Sequence, residues 1–206
     1  MNKIYPIIAA FMIVSFFSCE EKKSTLPIDS TQIDTTTSKV IIDSDPLSML
    51  TSIRDSANKA WLVMIKSDDQ KINDISRLLQ EISYCKKYNA LLLDSLTTVT
   101  KTMKEKRYQQ LSMTSEEIDR YDELTDKVIS RAKFLGSTTK DLASHPIAET
   151  LFSDIAAADN DVVRYRNLYD GFAFAYNDYY EANKLVLSDK VKNFKKLPVF
   201  RLQLPS

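Results

Sequence analysis

The stretch IAETLFSDIAAADNDVVRYRNLYDGFAFAYNDYYEANKLVL, residues 147–187, decides the fold. Within it Ile147, Leu151, Ile155, Ala158, Val162, Tyr165, Tyr169, Phe172, Tyr176 and Tyr180 recur every three or four residues. That period puts them on one stripe of a single long helix. The stripe is rich in aromatic rings and one helix cannot cover it alone. Helices elsewhere in the chain are therefore expected to pack against it.

Upstream segments repeat the same period. Asp45-Pro46 reads as a helix start, an N-cap acceptor followed by proline at the first helical position. From there Leu50, Ile53, Ala57, Trp61, Met64, Asp68, Ile72, Ile75, Leu79 and Ile82 keep the helical spacing for about ten turns. Asp68 is the one polar member of that stripe. A turn is expected over 86–89, then a second helix carrying Leu92, Leu96, Val99 and Met103 and ending near Ser112. Thr114-Ser115-Glu116-Glu117 has the form of a capping box and opens a third helix. Its stripe is Ile118, Tyr121, Leu124, Val128, Ala132, Leu135 and Leu142. Ser144-His145-Pro146 breaks the chain before the long aromatic helix begins. Short connections favour antiparallel neighbours. The expectation is an all-α fold: an elongated up-down-up-down four-helix bundle over 45–188, with long first and last helices. In that topology the start of the first helix and the end of the last lie together.

Composition agrees with this class. The chain has 206 residues, 44% hydrophobic and 27% charged, which suits one domain with appendages. Two glycines and six prolines are too few for a loop-rich β protein. A folded part of about 150 residues buries roughly two-thirds of its unfolded surface and needs no staple. The formal net charge is zero, so the cationic excess of a nucleic-acid binder is missing, and no nucleic acid is expected as partner.

The two ends read differently from the bundle. Residues 1–18 have the form of a signal peptide: Lys3 is the positive start, and 6–17 form an apolar run too short for a bilayer core of about 30 Å. Ser15-Phe16-Phe17-Ser18-Cys19 resembles a bacterial lipobox, whose cysteine is acylated and becomes the first residue of the mature chain. The resemblance implies more than one acyl chain on Cys19, which gives stable anchoring. Residues 19–44 continue as a Ser-, Thr-, Asp- and Lys-rich tether. About 25 such residues reach roughly 25–30 Å. The tail, 189–206, alternates Val191, Phe194, Leu197, Val199, Phe200 and Leu202 with Lys190, Lys192, Lys195, Lys196 and Arg201. It reads either as a basic strip against anionic lipid or as a segment packed at the bundle end. The second is preferred, because Pro198 interrupts an amphipathic helix.

Candidate chemistry is sparse. One histidine, His145, cannot build a multi-imidazole metal site, and no H-E-x-x-H is present. Two isolated glycines form neither a phosphate loop nor a nucleophile elbow. No catalytic, cofactor-binding or metal-binding residue is expected, and the chain is not expected to be an enzyme. Asp68 on an apolar stripe calls for a Lys or Arg partner, local fraying of the helix, or a tuned acidity. Cys85 continues the first stripe as a small apolar group; linking two copies is the alternative. Asn177 and Tyr179 fall off the centre of the aromatic stripe and are candidates for an interaction surface.

Three segments resemble LemA-like proteins. Ala60-Trp61 is similar to the family's Ala-Trp signature. Residues 169–177, YDGFAFAYN, resemble its repeated Tyr-Asn pairs, and 194–200, FKKLPVF, its closing segment. The likeness spans about 45–200. Asp170 stands where the first Asn is usual, Ser76 where the family has proline, and a lipobox replaces the N-terminal membrane helix, which marks a divergent member. The resemblance implies an extracytoplasmic helical bundle held at a membrane without established catalytic residues. The expected function is a membrane-tethered lipoprotein of the bacterial cell envelope serving as an interaction or scaffold module, anchored through acylated Cys19 and meeting an envelope protein. The alternative is a bundle that binds a small molecule or peptide.

Overall fold

The computed structural model describes residues 45–200. The signal peptide, Cys19, the tether as far as residue 44, and residues 201–206 of the tail lie outside them. The described residues form α1 (Pro46–Ser83), α2 (Ala90–Thr102), α3 (Ser115–Thr138), α4 (Ala148–Ala182) and the single turn α5 (Lys184–Leu187), with no strand among them. At 1.5 Å per residue α1 is about 57 Å long and α4 about 52 Å. The fold is an all-α bundle with long first and last helices.

The helix starts follow from local chemistry, with one exception. Thr114 and Glu117 close a complete capping box: the Thr114 hydroxyl accepts the Glu117 N–H at 3.3 Å and the Glu117 carboxylate accepts the Thr114 N–H at 3.1 Å. Asn89 opens α2 by accepting the Leu92 N–H at 3.1 Å. Asp45 occupies the N-cap of α1 and Pro46 follows it, yet the Asp45 side chain makes no capping hydrogen bond. Its carboxylate accepts instead from Lys190 Nζ at 2.8 Å, and this bond holds Asp45 below the usual carboxylate range. The cap expected of Asp45 is thus a clasp between the beginning of α1 and the tail.

α1 and α4 run antiparallel along their whole lengths. Asp45 meets Lys190, Trp61 meets Tyr169, Lys71 meets Asp159 and Glu81 meets His145. Around this pair the core divides in two. One half is aliphatic and built from all four main helices: Ile72, Ile75, Leu78, Leu79 and Ile82 of α1, Leu93 and Leu96 of α2, Val128 and Leu135 of α3, and Leu151 and Ile155 of α4. The other half is aromatic: Trp61, Tyr108, Tyr121, Tyr169, Tyr176 and Tyr180, with Leu50, Ala57 and Met64.

The aromatic half exists because two segments do not behave as the sequence periodicity predicts. α2 ends at Thr102 rather than near Ser112. After Met103 no apolar stripe continues, and a short 3-10 turn, Lys104–Lys106, releases the chain to run along α1. This brings Tyr108 and Met113 into the core. The tail supplies the remaining cover. Instead of stopping at the bundle end, it reverses at Asn193, whose φ of 63° is a left-handed conformation that asparagine tolerates, and runs back along α4. Phe194 stacks on Tyr180 with centroids 3.5 Å apart. Leu197 is buried, and Phe200 packs among Trp61, Tyr108 and Tyr169. The tail is a strap along the bundle's side.

Candidate functional site

Between the aliphatic and aromatic halves lies a layer of charge. α1 brings Asp68, Asp69 and Lys71; α4 brings Asp159 and Arg166; α3 brings Tyr121, Asp122 and Thr125; the segment after α2 brings Arg107 and Tyr108. All of these but Asp69 line a partly enclosed cavity of about 220 Å³. The aromatic stripe of α4 thins here: Ala158, Val162 and Tyr165 are only partly buried, because this stretch of the helix faces charge rather than rings.

The partners are specific. Arg107 donates from Nη2 to Asp69 at 2.6 Å, and its Nε sits 2.7 Å from Asp68 Oδ2. The second contact is ionic rather than a directed hydrogen bond, since the Nε–H makes no bond of good angle. Tyr121 donates to Asp68 at 2.5 Å, and Lys71 lies 3.4 Å from Asp68 and 3.2 Å from Asp159. Arg166 grips Asp122 through both terminal nitrogens, at 2.7 and 2.6 Å, and donates to Tyr108 at 3.1 Å. Its guanidinium also lies 4.9 Å from the Phe200 ring centroid.

Burial sets the acid–base behaviour. For both arginines desolvation opposes the charge, and the carboxylates more than offset it, so both pKa values end well above the ordinary arginine range. Burial, with the Asp68 charge beside it, pushes Tyr121 far above its ordinary value. Burial raises Tyr108 also, although Arg166 works against the shift. The layer therefore keeps its arginines charged and its phenols neutral. Each cation already has a carboxylate, so an anion entering the cavity would have to displace one.

The partnered reading of Asp68 describes what the fold builds. Asn177 has another role than the surface one expected of it. Its side-chain amide donates to the Leu197 carbonyl at 2.9 Å and accepts the Leu197 N–H at 2.8 Å, so its polar atoms hold the chain's own tail. Tyr179 packs, half-buried, at the edge of the aromatic half. Cys85 is buried against the aliphatic half and is not disulfide-bonded. His145, which stands in the break before α4, is largely covered and bonds Glu81 through Nδ1 at 2.9 Å. Cys19 lies outside the described residues. Arg107 and Asp122 escaped the sequence reading because nothing local marks them: both are polar residues in polar surroundings, tied into the layer only by contacts across 38 and 44 residues.

Among the described residues no group of three or more His, Cys, Asp or Glu is placed to hold a metal ion, and no helix is long and apolar enough to cross a membrane. No family model matches the chain, and no curated protein or solved structure matches it.

Proposed function

We propose that the chain is a lipid-anchored, extracytoplasmic module of the bacterial envelope that binds a protein partner with the end of the bundle remote from its anchor. The carrying observation is an apolar-lined groove at the end of the bundle remote from Asp45, although Leu185 and Val186 are exposed at the other end. Asp45, the first described residue, stands beside Lys190 at the start of α1. About 57 Å away, the α1–α2 and α3–α4 turns expose Tyr84, Tyr88, Leu91, Phe134 and Ile147. An open groove of about 820 Å³, lined in part by Leu142, Pro146, Ala148 and Phe152, lies at the same end. Apolar groups gathered in one place on a surface mark an interaction site. The partner that fits is a protein presenting an apolar segment. Acylation of Cys19 supplies the anchor in this reading, and the module works by holding its partner, without cofactor or metal.

Kinship with LemA-like proteins is part of the proposal. The three segments that carry the resemblance converge in the aromatic half, where Trp61, Tyr169 and Phe200 touch.

The test is photo-cross-linking in cells from residue 91 and, separately, from the exposed residue 185 of the other end. Capture of one envelope protein from 91 alone, lost in the Phe134→Asp chain and in Cys19→Ala, is the expected result. Equal capture from both positions would overturn the reading.

A second reading, a binder of a small polar molecule, is favoured by the polar groups that converge on the cavity at Asp68 and Arg166. A co-purifying ligand released on denaturation, and absent from Arg166→Met, would support it. The cavity is smaller than the ~300 Å³ at which ordinary ligand pockets begin, which places this reading second.

A further inference from the structure

The turn-bearing end of the bundle contains a constellation that sequence separation conceals. Cys85 Sγ lies 3.5 Å from His145 Nε2, and His145 Nδ1 lies 2.9 Å from Glu81 Oε2. A thiol, an imidazole and a carboxylate stand in file, the arrangement of a nucleophile, its base and the group that orients the base. Cys85 and His145 both line an open hollow of about 630 Å³, with Lys86, Lys140 and Asp141 at its rim. The thiol is also within hydrogen-bond distance of the Glu81 carbonyl, at 3.6 Å.

The surroundings decide which electrophile suits this thiol. Acyl transfer needs free N–H donors to hold a developing oxyanion. Here the neighbouring backbone donors are engaged: Cys85 N–H to the Ile82 carbonyl, Lys86 N–H to Asp141, and His145 N–H to the Leu142 carbonyl. Attack on sulfur develops no oxyanion. It needs a thiolate, an in-line approach and a proton acceptor. Burial raises the Cys85 pKa, and the nearby Asp141 and Glu81 charges push the same way. The thiol is thus protonated near neutrality, and a base must take its proton.

We propose that Cys85 is a modification site that exchanges with small disulfides, with His145 as the base and Glu81 as its positioning residue. In the step, the Cys85 sulfur attacks one sulfur of R–S–S–R as its proton passes to His145 Nε2. The reagent's S–S bond breaks, a Cys85–S–S–R bond forms, and the departing thiolate takes the proton from His145 and leaves as R–SH. Atoms and electrons balance without a further oxidant. Cys85 is only 6% exposed, so slim reagents are admitted and bulky ones excluded. This step goes beyond the tethered-module reading and does not depend on it.

The test uses the intact chain, hydroxyethyl disulfide as reagent, and mass spectrometry of the peptide carrying Cys85 to follow the mixed disulfide near neutral pH. The expected result is that His145→Asn slows modification by at least about tenfold. Glu81→Ala does the same, while Glu81→Gln, which keeps an acceptor for Nδ1, restores most of the rate. Equal rates in wild type and His145→Asn would overturn the proposal. So would a wild-type rate that follows global opening measured by hydrogen exchange in urea, because Cys85 would then react only from unfolded chains. Hydrogen exchange of each variant separates loss of the base from loss of the fold.

Discussion

The side-chain amide of Asn177 and the backbone of Leu197 form a two-bond clasp, 2.9 Å from Nδ2 to the carbonyl and 2.8 Å from the peptide N–H to Oδ1. One α4 side chain thereby satisfies both backbone groups of a buried residue in a segment with no regular structure. Asn177→Ala leaves that N–H and C=O unpaired beneath packed rings, at a cost of about 1–3 kcal/mol for each group that water cannot reach. The expected outcome is an unfolding free energy, read from urea titration, lowered by about 2 kcal/mol or more. Faster hydrogen exchange at Leu197 and a red-shifted Trp61 emission would accompany it as the strap loosens.

The charge layer predicts an asymmetry. Arg107→Met removes a partner from Asp68 and Asp69 while Asp68 stays buried, and breaking a buried pair from one side costs about 3–5 kcal/mol. Adding Asp68→Asn to that variant recovers part of the loss, because the carboxylate that has lost its arginine, and keeps only Lys71 and Tyr121, is gone. A double-mutant cycle by urea unfolding reads the coupling directly. Additive losses would show that the two residues are energetically independent.

Alkaline pH should unfold this protein. Burial pushes Tyr169 up to about 12, and Tyr108, Tyr121 and Tyr176 are raised for the same leading reason. An unfolded tyrosine ionises near 10. Above that point the unfolded chain holds fewer protons than the folded one, so stability falls as pH rises. The contribution of Tyr169 is complete below about pH 10 and is lost towards about 12. Urea unfolding should show a steep loss over that window, and Tyr169→Phe, although weaker at neutral pH for want of its bond to the Pro198 carbonyl, should lose less across it.

The chain's two glycines predict opposite signs. A Cβ on Gly136 would collide with the Phe152 ring and press on Leu142. Gly136→Ala should therefore destabilise by about 1–3 kcal/mol, as overpacking does. Gly171, inside α4, has nothing within reach of a Cβ. Gly171→Ala should stabilise by about 0.5–1 kcal/mol through helix propensity. Thermal melts of the two variants beside wild type decide both.

Much of the fold was legible because it rests on local rules. The stripes of α1 and α4 and the Thr114–Glu117 capping box are properties of residues near one another in sequence. What the sequence hid depends on distance along the chain. Arg107 looks like a loop arginine until it meets Asp69 across 38 positions, with Asp68 beside it. Asn177 looks like a surface amide until the tail returns to it. Cys85 and His145 are 60 residues apart and carry no shared motif, so only the packing of one turn against the other brings them together. The end of α2 was missed because a helix that simply runs out of apolar stripe leaves no stop signal in polar sequence.

The strap has a consequence for the order of events during synthesis. Residues 189–200 leave the ribosome after α1 and α4, so a growing chain holds Trp61 and Tyr169 for some time without Phe200 against them. The aliphatic half, whose members all precede residue 156, is complete long before. Folding therefore finishes where the polypeptide doubles back on its own beginning, with Lys190 closing on Asp45. A chain cut short by a dozen residues would still be mostly helical, yet it would carry an open seam of aromatic rings. Such a chain would be marked for proteolysis by what it lacks.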